Sequence, residues 1–243
     1  WSILYENPKW LIGYSDPTNL LFPLTLMGDV ATIYGHNAGS FDSVVLEDGK
    51  EVLPDYLQCA IRILKGENVI QRSYPFHLGR KPFEQEEGPL VFDAPTVYRA
   101  SVDQLQVSGR CIGGCIDVLK DLIGTEFDLV PSFLRRYEKD GFIWYFDNFA
   151  LSSAVLYRTF LQMRYAGWID PDTTRAILLG RTLFENEEAQ MSYEEAVRLA
   201  FPDIPVIWNV DIGHTDPRFT MINGAMLDLN YENGSAELHF RLE

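Results

Sequence analysis

The sequence has 243 residues, 47% of them hydrophobic and 23% charged, which is enough chain to bury a sizeable core in one large domain or two modest ones. Its formal net charge of −15 argues against a nucleic-acid binder, which needs a basic surface to meet phosphates. No apolar run reaches the length of a membrane span, no signal peptide is visible behind Trp1, and the three cysteines, Cys59, Cys111 and Cys115, cannot all pair, which suggests a reducing compartment without a disulfide framework.

In chain order, Asn7-Pro8-Lys9-Trp10 is a turn signal before the apolar pair Leu11-Ile12. Gly13-Tyr14-Ser15-Asp16-Pro17-Thr18 follows, and Asn19 to Leu24 is apolar enough to open a buried helix. A strand, a tight Gly-x-Ser turn and a helix make a nucleophile elbow, in which the Ser15 hydroxyl projects and the Asp16 N–H points to where an oxyanion forms. Pro17 stands where such elbows usually carry a second glycine, and the same residues also fit a plain strand-to-helix turn with Ser15 as N-cap. Val30 to Tyr34 is β-rich and ends in the loop Gly35-His36-Asn37-Ala38-Gly39, so residues 1–48 read as a parallel βαβ unit. His36 reads as a structural loop histidine. Residues 54–65 space Leu57, Ile61 and Leu64 as a helix, stopped by Gly66. Residues 67–104 read as an interdomain connection, with Pro75, Pro82, Pro89 and Pro95 and a solvated acidic run, Glu84-Gln85-Glu86-Glu87.

A second α/β unit is expected from Leu105 onward. Leu105–Gly109 is a short strand, Arg110–Cys115 a glycine turn, and Ile116, Leu119, Leu122 and Ile123 mark a helix closed by Gly124. Gly113-Gly114 is no phosphate loop, since no Lys-Ser/Thr follows. Cys111 and Cys115 have no partners with metal-ligand spacing and fit buried small side chains. Phe142 to Phe146 is an apolar strand ending at Asp147-Asn148, Ser153 to Ala166 a long helix, and Ala176 to Gly180 a buried strand. Ser192 to Glu195 is a capping box. Pro205 to Val210 is a strand followed by Asp211-Ile212-Gly213-His214, and from Thr220 a β-meander is expected, with a hairpin at Asn233-Gly234.

Ser15, Asp147 and His214 thus each follow an apolar strand, in the chain order of a hydrolase triad. Such chemistry needs a histidine to take the serine proton and a carboxylate to fix the imidazole tautomer. The competing readings are a turn or N-cap for Asp147 and an ordinary loop histidine for His214.

Several motifs, in order and from about residue 5 to the end, resemble the LD-carboxypeptidase family of serine peptidases, which includes microcin C immunity proteins. Asn7-Pro8-Lys9 with Gly13-Tyr14-Ser15-Asp16 and Thr18 is similar to the family's nucleophile segment; Tyr34-Gly35-His36-Asn37 sits at its next glycine motif. Gly109 with Gly113-Gly114, Phe146-Asp147-Asn148, and Gly213-His214 resemble three later motifs. The resemblance implies an α/β fold of two domains: a partial Rossmann-like parallel-sheet amino domain, here residues 1–66, and a β-rich swivelling carboxyl domain, here 105–243, with the active site between them. It implies a cytoplasmic homodimer acting without metal or other cofactor on a peptide or peptidyl-nucleotide, with neither nucleic acid nor membrane as partner. It assigns Ser15 as nucleophile, His214 as base, Asp147 as orienting acid and Asp16 as a backbone oxyanion donor.

Gly113 and Arg110, near the glycine pair, are candidates for contacting the substrate, with a plain surface arginine as the alternative for Arg110. Tyr74, Phe76 and Phe83 give the connection an aromatic character that leans toward the immunity branch, whose longer loop holds a nucleobase, although it has no tryptophan to stack on one. Three departures stand out. Asp147 replaces the family's glutamate and is one methylene shorter. Cys115 replaces its asparagine. The family also has roughly 100 residues ahead of the elbow, about a domain's worth, including a glycine turn that gives the second oxyanion donor. Without them the sheet is expected to lose strands and activity; if they precede Trp1, nothing changes.

Overall fold

The computed structural model describes residues 2–42, 44–45, 50–79 and 91–242. Phe83 and the acidic run 84–87 lie outside the described residues. The chain opens with the helical turn α1 (Ser2–Glu6), the strand β1 (Ile12–Gly13), the helix α2 (Thr18–Gly28) and the strand β2 (Thr32–Tyr34). β1 and β2 are parallel, with Gly13 opposite Tyr34, so the expected βαβ unit is present. The ladder β3 (Val44–Val45) and β4 (Glu51–Val52) leads into α3 (Asp55–Leu64), which buries Tyr56, Leu57, Ala60 and Ile63 on one stripe.

The proline-rich stretch that follows holds four short strands: β5 (Ile70–Arg72), β6 (Phe76–Leu78), β7 (Phe92–Pro95) and β8 (Arg99–Ala100). β6 pairs with β7, while β5 and β8 form the two edges of the main sheet. That sheet is built from β9 (Gln104–Cys115), β10 (Phe142–Asp147), β11 (Thr174–Gly180), β12 (Val206–Val210), β14 (Met226–Glu232) and β15 (Ser235–Arg241), in the order β5-β15-β14-β9-β10-β11-β12-β8. β9 to β12 run parallel, linked by α4 (Ile116–Leu122), α5 (Val130–Arg136), α6 (Ser153–Tyr165) and α7 (Tyr193–Ala200). β14 and β15 form the expected hairpin across Asn233-Gly234. The capping box is present too: Ser192 Oγ accepts the Glu195 N–H at 3.1 Å.

Two elements differ from the sequence reading. Residues 104–115 form one strand of 12 residues, not a short strand and a glycine turn. Glycine lies within the strand at 113 because a Cβ there would overlap the carbonyl oxygen of Tyr145 on the adjacent β10. The other is β13 (Met221–Asn223), expected in the terminal meander, which instead pairs antiparallel with β2. β13 thereby closes the small sheet β1-β2-β13. Asn223 ties that sheet to the large one, its Oδ1 accepting Gly113 N–H and Tyr145 O–H, each at 2.9 Å.

The core lies on both faces of the main sheet. One cluster packs α2 and α4 to α7 against Ile112, Trp144, Phe146 and Leu179, and the other packs the small sheet against Cys111, Ile143, Tyr145 and Leu178. No helix among the described residues is long and apolar enough to cross a membrane.

Candidate active site

Parallel sheets present loops at the carboxyl ends of their strands, and both sheets do so here at one place. Ser15 follows β1 with φ +67°, the left-handed region that a non-glycine residue adopts at a cost of order 1–3 kcal/mol. Its side chain caps nothing: the N-cap position of α2 is Pro17, without a side-chain cap, and Ser15 contributes only its carbonyl, to Thr18 N–H at 2.9 Å. The strand, strained serine and helix of an elbow are therefore all present. Asp16 is exposed, and among the described residues no acceptor meets its N–H.

Asp147 ends β10 and is fully buried. It caps no helix either; the N-cap of α6 is Ser152. His214 Nδ1 lies 2.8 Å from Asp147 Oδ2, and the histidine side chain is 10% exposed. The approach is oblique: among the described residues, Nδ1 has no aligned hydrogen-bond acceptor, and Asp147 Oδ1 has no aligned donor. Gly213 explains how the pair fits, since a Cβ there would overlap the Asp147 carboxylate and its φ of +99° suits glycine.

Two aromatic rings pack on the imidazole, and a cation backs one of them. Tyr14, beside Ser15, meets His214 edge-on at 5.1 Å, and Phe149 covers it at 4.6 Å. The Arg218 guanidinium lies 4.3 Å over the Tyr14 ring. Asp117 holds the Phe149 loop by accepting the N–H groups of Phe149 and Ala150 at 2.9 and 3.1 Å.

One residue at the site escaped sequence reasoning. The Tyr34 hydroxyl donates to Asp147 Oδ2 and accepts the Ser15 N–H at 3.2 Å. Burial, and then the Asp147 charge, push its phenol well above the ordinary tyrosine range, so it stays protonated. Nothing in an apolar Thr-Ile-Tyr strand marks this residue in sequence; only the parallel register of β1 and β2 does.

Of the two expected substrate contacts, one is buried near Asp147 and the other lies at the far end of the strand. Gly113 is buried within β9, its N–H given to Asn223. Arg110 pairs with Phe142 at the start of β10 while Cys115 pairs with Asp147 at its end, so Arg110 lies five residues, about 16 Å, from the site. Its guanidinium is held there by Asp140 at 2.6 Å, by the Gly224 carbonyl and by the Tyr137 ring at 3.7 Å.

A cavity of about 340 Å³ adjoins the site through Thr215, and His77, Arg181, Thr182 and Asn209 line it. Arg181 is nearly buried and bound to Asp211 at 2.5 Å. Among the described residues, no three His, Cys, Asp or Glu side chains converge as metal ligands.

The model of the LD-carboxypeptidase C-terminal domain matches residues 108–229, the stretch that carries both Asp147 and His214. The chain is 25% identical over 243 residues to the microcin C7 self-immunity protein MccF of Escherichia coli, covering 96% of this chain and 66% of the relative. It thus spans just under two thirds of the length of that curated relative. The structure of MccF in complex with aspartyl sulfamoyl adenosine superposes with a TM-score of 0.73 at 23% identity, over 99% of this chain and 70% of that one. A muramoyltetrapeptide carboxypeptidase from Oxalobacter formigenes gives 0.66 at 17% identity, over 98% and 71%. At these identities the structural likeness carries the fold, and the domain match carries the family: this chain belongs to the LD-carboxypeptidase family.

Proposed function

We propose that the chain is a serine peptidase of carboxypeptidase type, hydrolysing the C-terminal amide bond of a peptide or peptidyl-nucleotide with Ser15, His214 and Asp147 as its triad. The observation that carries this reading is the left-handed Ser15 ahead of α2, next to Tyr14, whose ring meets a histidine with its Nδ1 2.8 Å from a buried carboxylate. With Nδ1 turned to Asp147, Nε2 is the nitrogen left to serve the serine. Ser15 Oγ attacks the carbonyl carbon while His214 takes its proton, and His214 returns that proton to the leaving amine. Asp147 keeps the imidazole in the needed tautomer, and the Asp16 N–H meets the oxyanion.

Two substrate classes follow from the relatives' names: a muramoyl tetrapeptide and a peptidyl or aminoacyl nucleotide. The three free cysteines support a cytoplasmic setting, and a homodimer is the expected assembly. The site would lie between an amino part reaching residue 66 and a carboxyl part from 105, joined by 67–104. The rival reading is a binding relative that has lost turnover; the short acid and the oblique contact favour it.

Labelling with a fluorophosphonate separates the two, because only an activated serine reacts. Hydrolysis of L-Ala-γ-D-Glu-meso-diaminopimelate-D-Ala then tests the substrate. Labelling and D-alanine release that both vanish in Ser15→Ala support the peptidase. Labelling without D-alanine release moves the substrate to peptidyl-nucleotides. Absence of labelling in folded protein leaves the binding relative.

A further inference from the structure

Tyr34 occupies a point where the small sheet, the elbow and the main sheet meet. Its backbone is paired on both sides, with Gly13 of β1 and Met221 of β13. Its ring packs on Tyr145 at 5.7 Å, and Tyr145 is itself anchored through Asn223. The ring therefore has little freedom, and its hydroxyl is delivered to a fixed place. There it gives its proton to Asp147 Oδ2, the oxygen that also faces His214 Nδ1, and takes the N–H of Ser15. The other carboxylate oxygen has no donor among the described residues. The Asp147 orientation thus depends on one oxygen with two neighbours, a phenol and an imidazole. An aspartate reaches less far than the glutamate that its motif resembles, so its lateral placement matters more.

We propose that Tyr34 is a positioning residue, whose single hydroxyl both aims the Asp147 carboxylate at His214 and holds the Ser15 turn in its left-handed conformation. The inference rests on the triad reading above. It also makes a chemical prediction that a filler tyrosine would not. A donor on Oδ2 withdraws charge from the carboxylate and weakens its hold on a protonated imidazole. Removing the donor strengthens that hold, raises the proton affinity of His214, and shifts base activity to higher pH. A stronger donor shifts it to lower pH.

The test is the second-order rate of fluorophosphonate labelling of the full-length protein as a function of pH, which needs no knowledge of the substrate. In Tyr34→Phe the plateau is expected to fall ten- to hundredfold, the range that a misplacement of about 1 Å produces. Its ascending limb is expected to move to higher pH. Site-specific 3-fluorotyrosine at position 34 keeps the ring and hydroxyl but donates more strongly, and should move the limb to lower pH. If Tyr34→Phe fails to fold, the fluorinated protein decides alone. Wild-type labelling with the limb unmoved in the folded variants overturns the inference and leaves the triad standing. No labelling of the wild-type protein overturns both.

Discussion

Phe142, Trp144 and Phe146 point to one side of β10, and Ile143, Tyr145 and Asp147 to the other. The first side is an aromatic stack: Trp144 lies 5.7 Å from Phe146 and 6.2 Å from Trp168, which in turn stacks on Phe22 of α2 at 5.4 Å. The Trp144 Nε1 has no partner among the described residues. On the second side the hydroxyls are used: Tyr145 binds Asn223, and Tyr34 binds Asp147. Both sides are fully buried, so exposure does not distinguish them. What differs is that one face fills volume with carbon while the other directs polar groups at a single carboxylate. A two-residue period is enough to put Asp147 on the second face.

The comparison can be broken from either side. The largest effect is expected at the polar face, from Gly213→Ala. The added methyl overlaps the Asp147 carboxylate, which must swing away from His214. The fluorophosphonate labelling rate should fall on the order of a thousandfold, approaching the ~10⁴ cost of disabling the acid in a serine triad. A fall of less than tenfold in folded protein would mean that the carboxylate position is immaterial. On the aromatic face, Trp144→Ala should cost about 3–5 kcal/mol of unfolding free energy, by the usual penalty for emptying a large core site. Denaturant titration at pH 8 and at pH 5 should give the same loss, and the labelling limb should stay in place. A pH-dependent loss would show that the two faces are coupled.

The same contrast explains what the sequence could disclose. α3, β10, the capping box and the Asn233-Gly234 hairpin each carry a local pattern, and each formed as read. Ser15, Asp147 and His214 stand out as candidates in the sequence because each follows an apolar strand. β9 was misread because Gly109, Gly113 and Gly114 mimic a turn, whereas Gly113 is required by the close approach of the Tyr145 carbonyl, which only the neighbouring strand imposes. Met221–Asn223 went astray for a similar reason: its partner is β2, nearly two hundred residues earlier in the chain (223 − 32 = 191). Strands of two to four residues such as β5 and β8 are too short to show a period. Tyr34 and Arg110 form the instructive pair. Tyr34 reads only as the end of a β-rich stretch and sits at the acid; Arg110 reads as a substrate contact or a plain surface arginine and is bound to Asp140 at the far end of the strands.

The smallest expected effect sharpens the comparison by asking what charge does to each side. His36, two residues beyond Tyr34, is fully buried against Phe41 and Tyr56, both rings at 5.6 Å, and neither of its nitrogens has a partner among the described residues. Burial, helped by the Arg218 charge and opposed by Asp216, pushes its imidazole from the ordinary 6.5 down to about 3. Between those values the unfolded chain binds a proton that the folded protein refuses, so stability rises with pH across that window. The titration of His36 therefore costs nothing above pH 6.5, and below it the folded state loses about 1.4 kcal/mol per pH unit until pH 3 is reached. His36→Leu removes the titration. The difference in unfolding free energy between His36→Leu and wild type should shift in favour of the variant by about 2 kcal/mol from pH 8 to pH 5. Trp144→Ala, by contrast, carries no such slope. A flat difference for His36→Leu would place a proton, or a partner for it, on the imidazole in the folded state, and the polar face would then tolerate a buried charge that the aromatic face excludes.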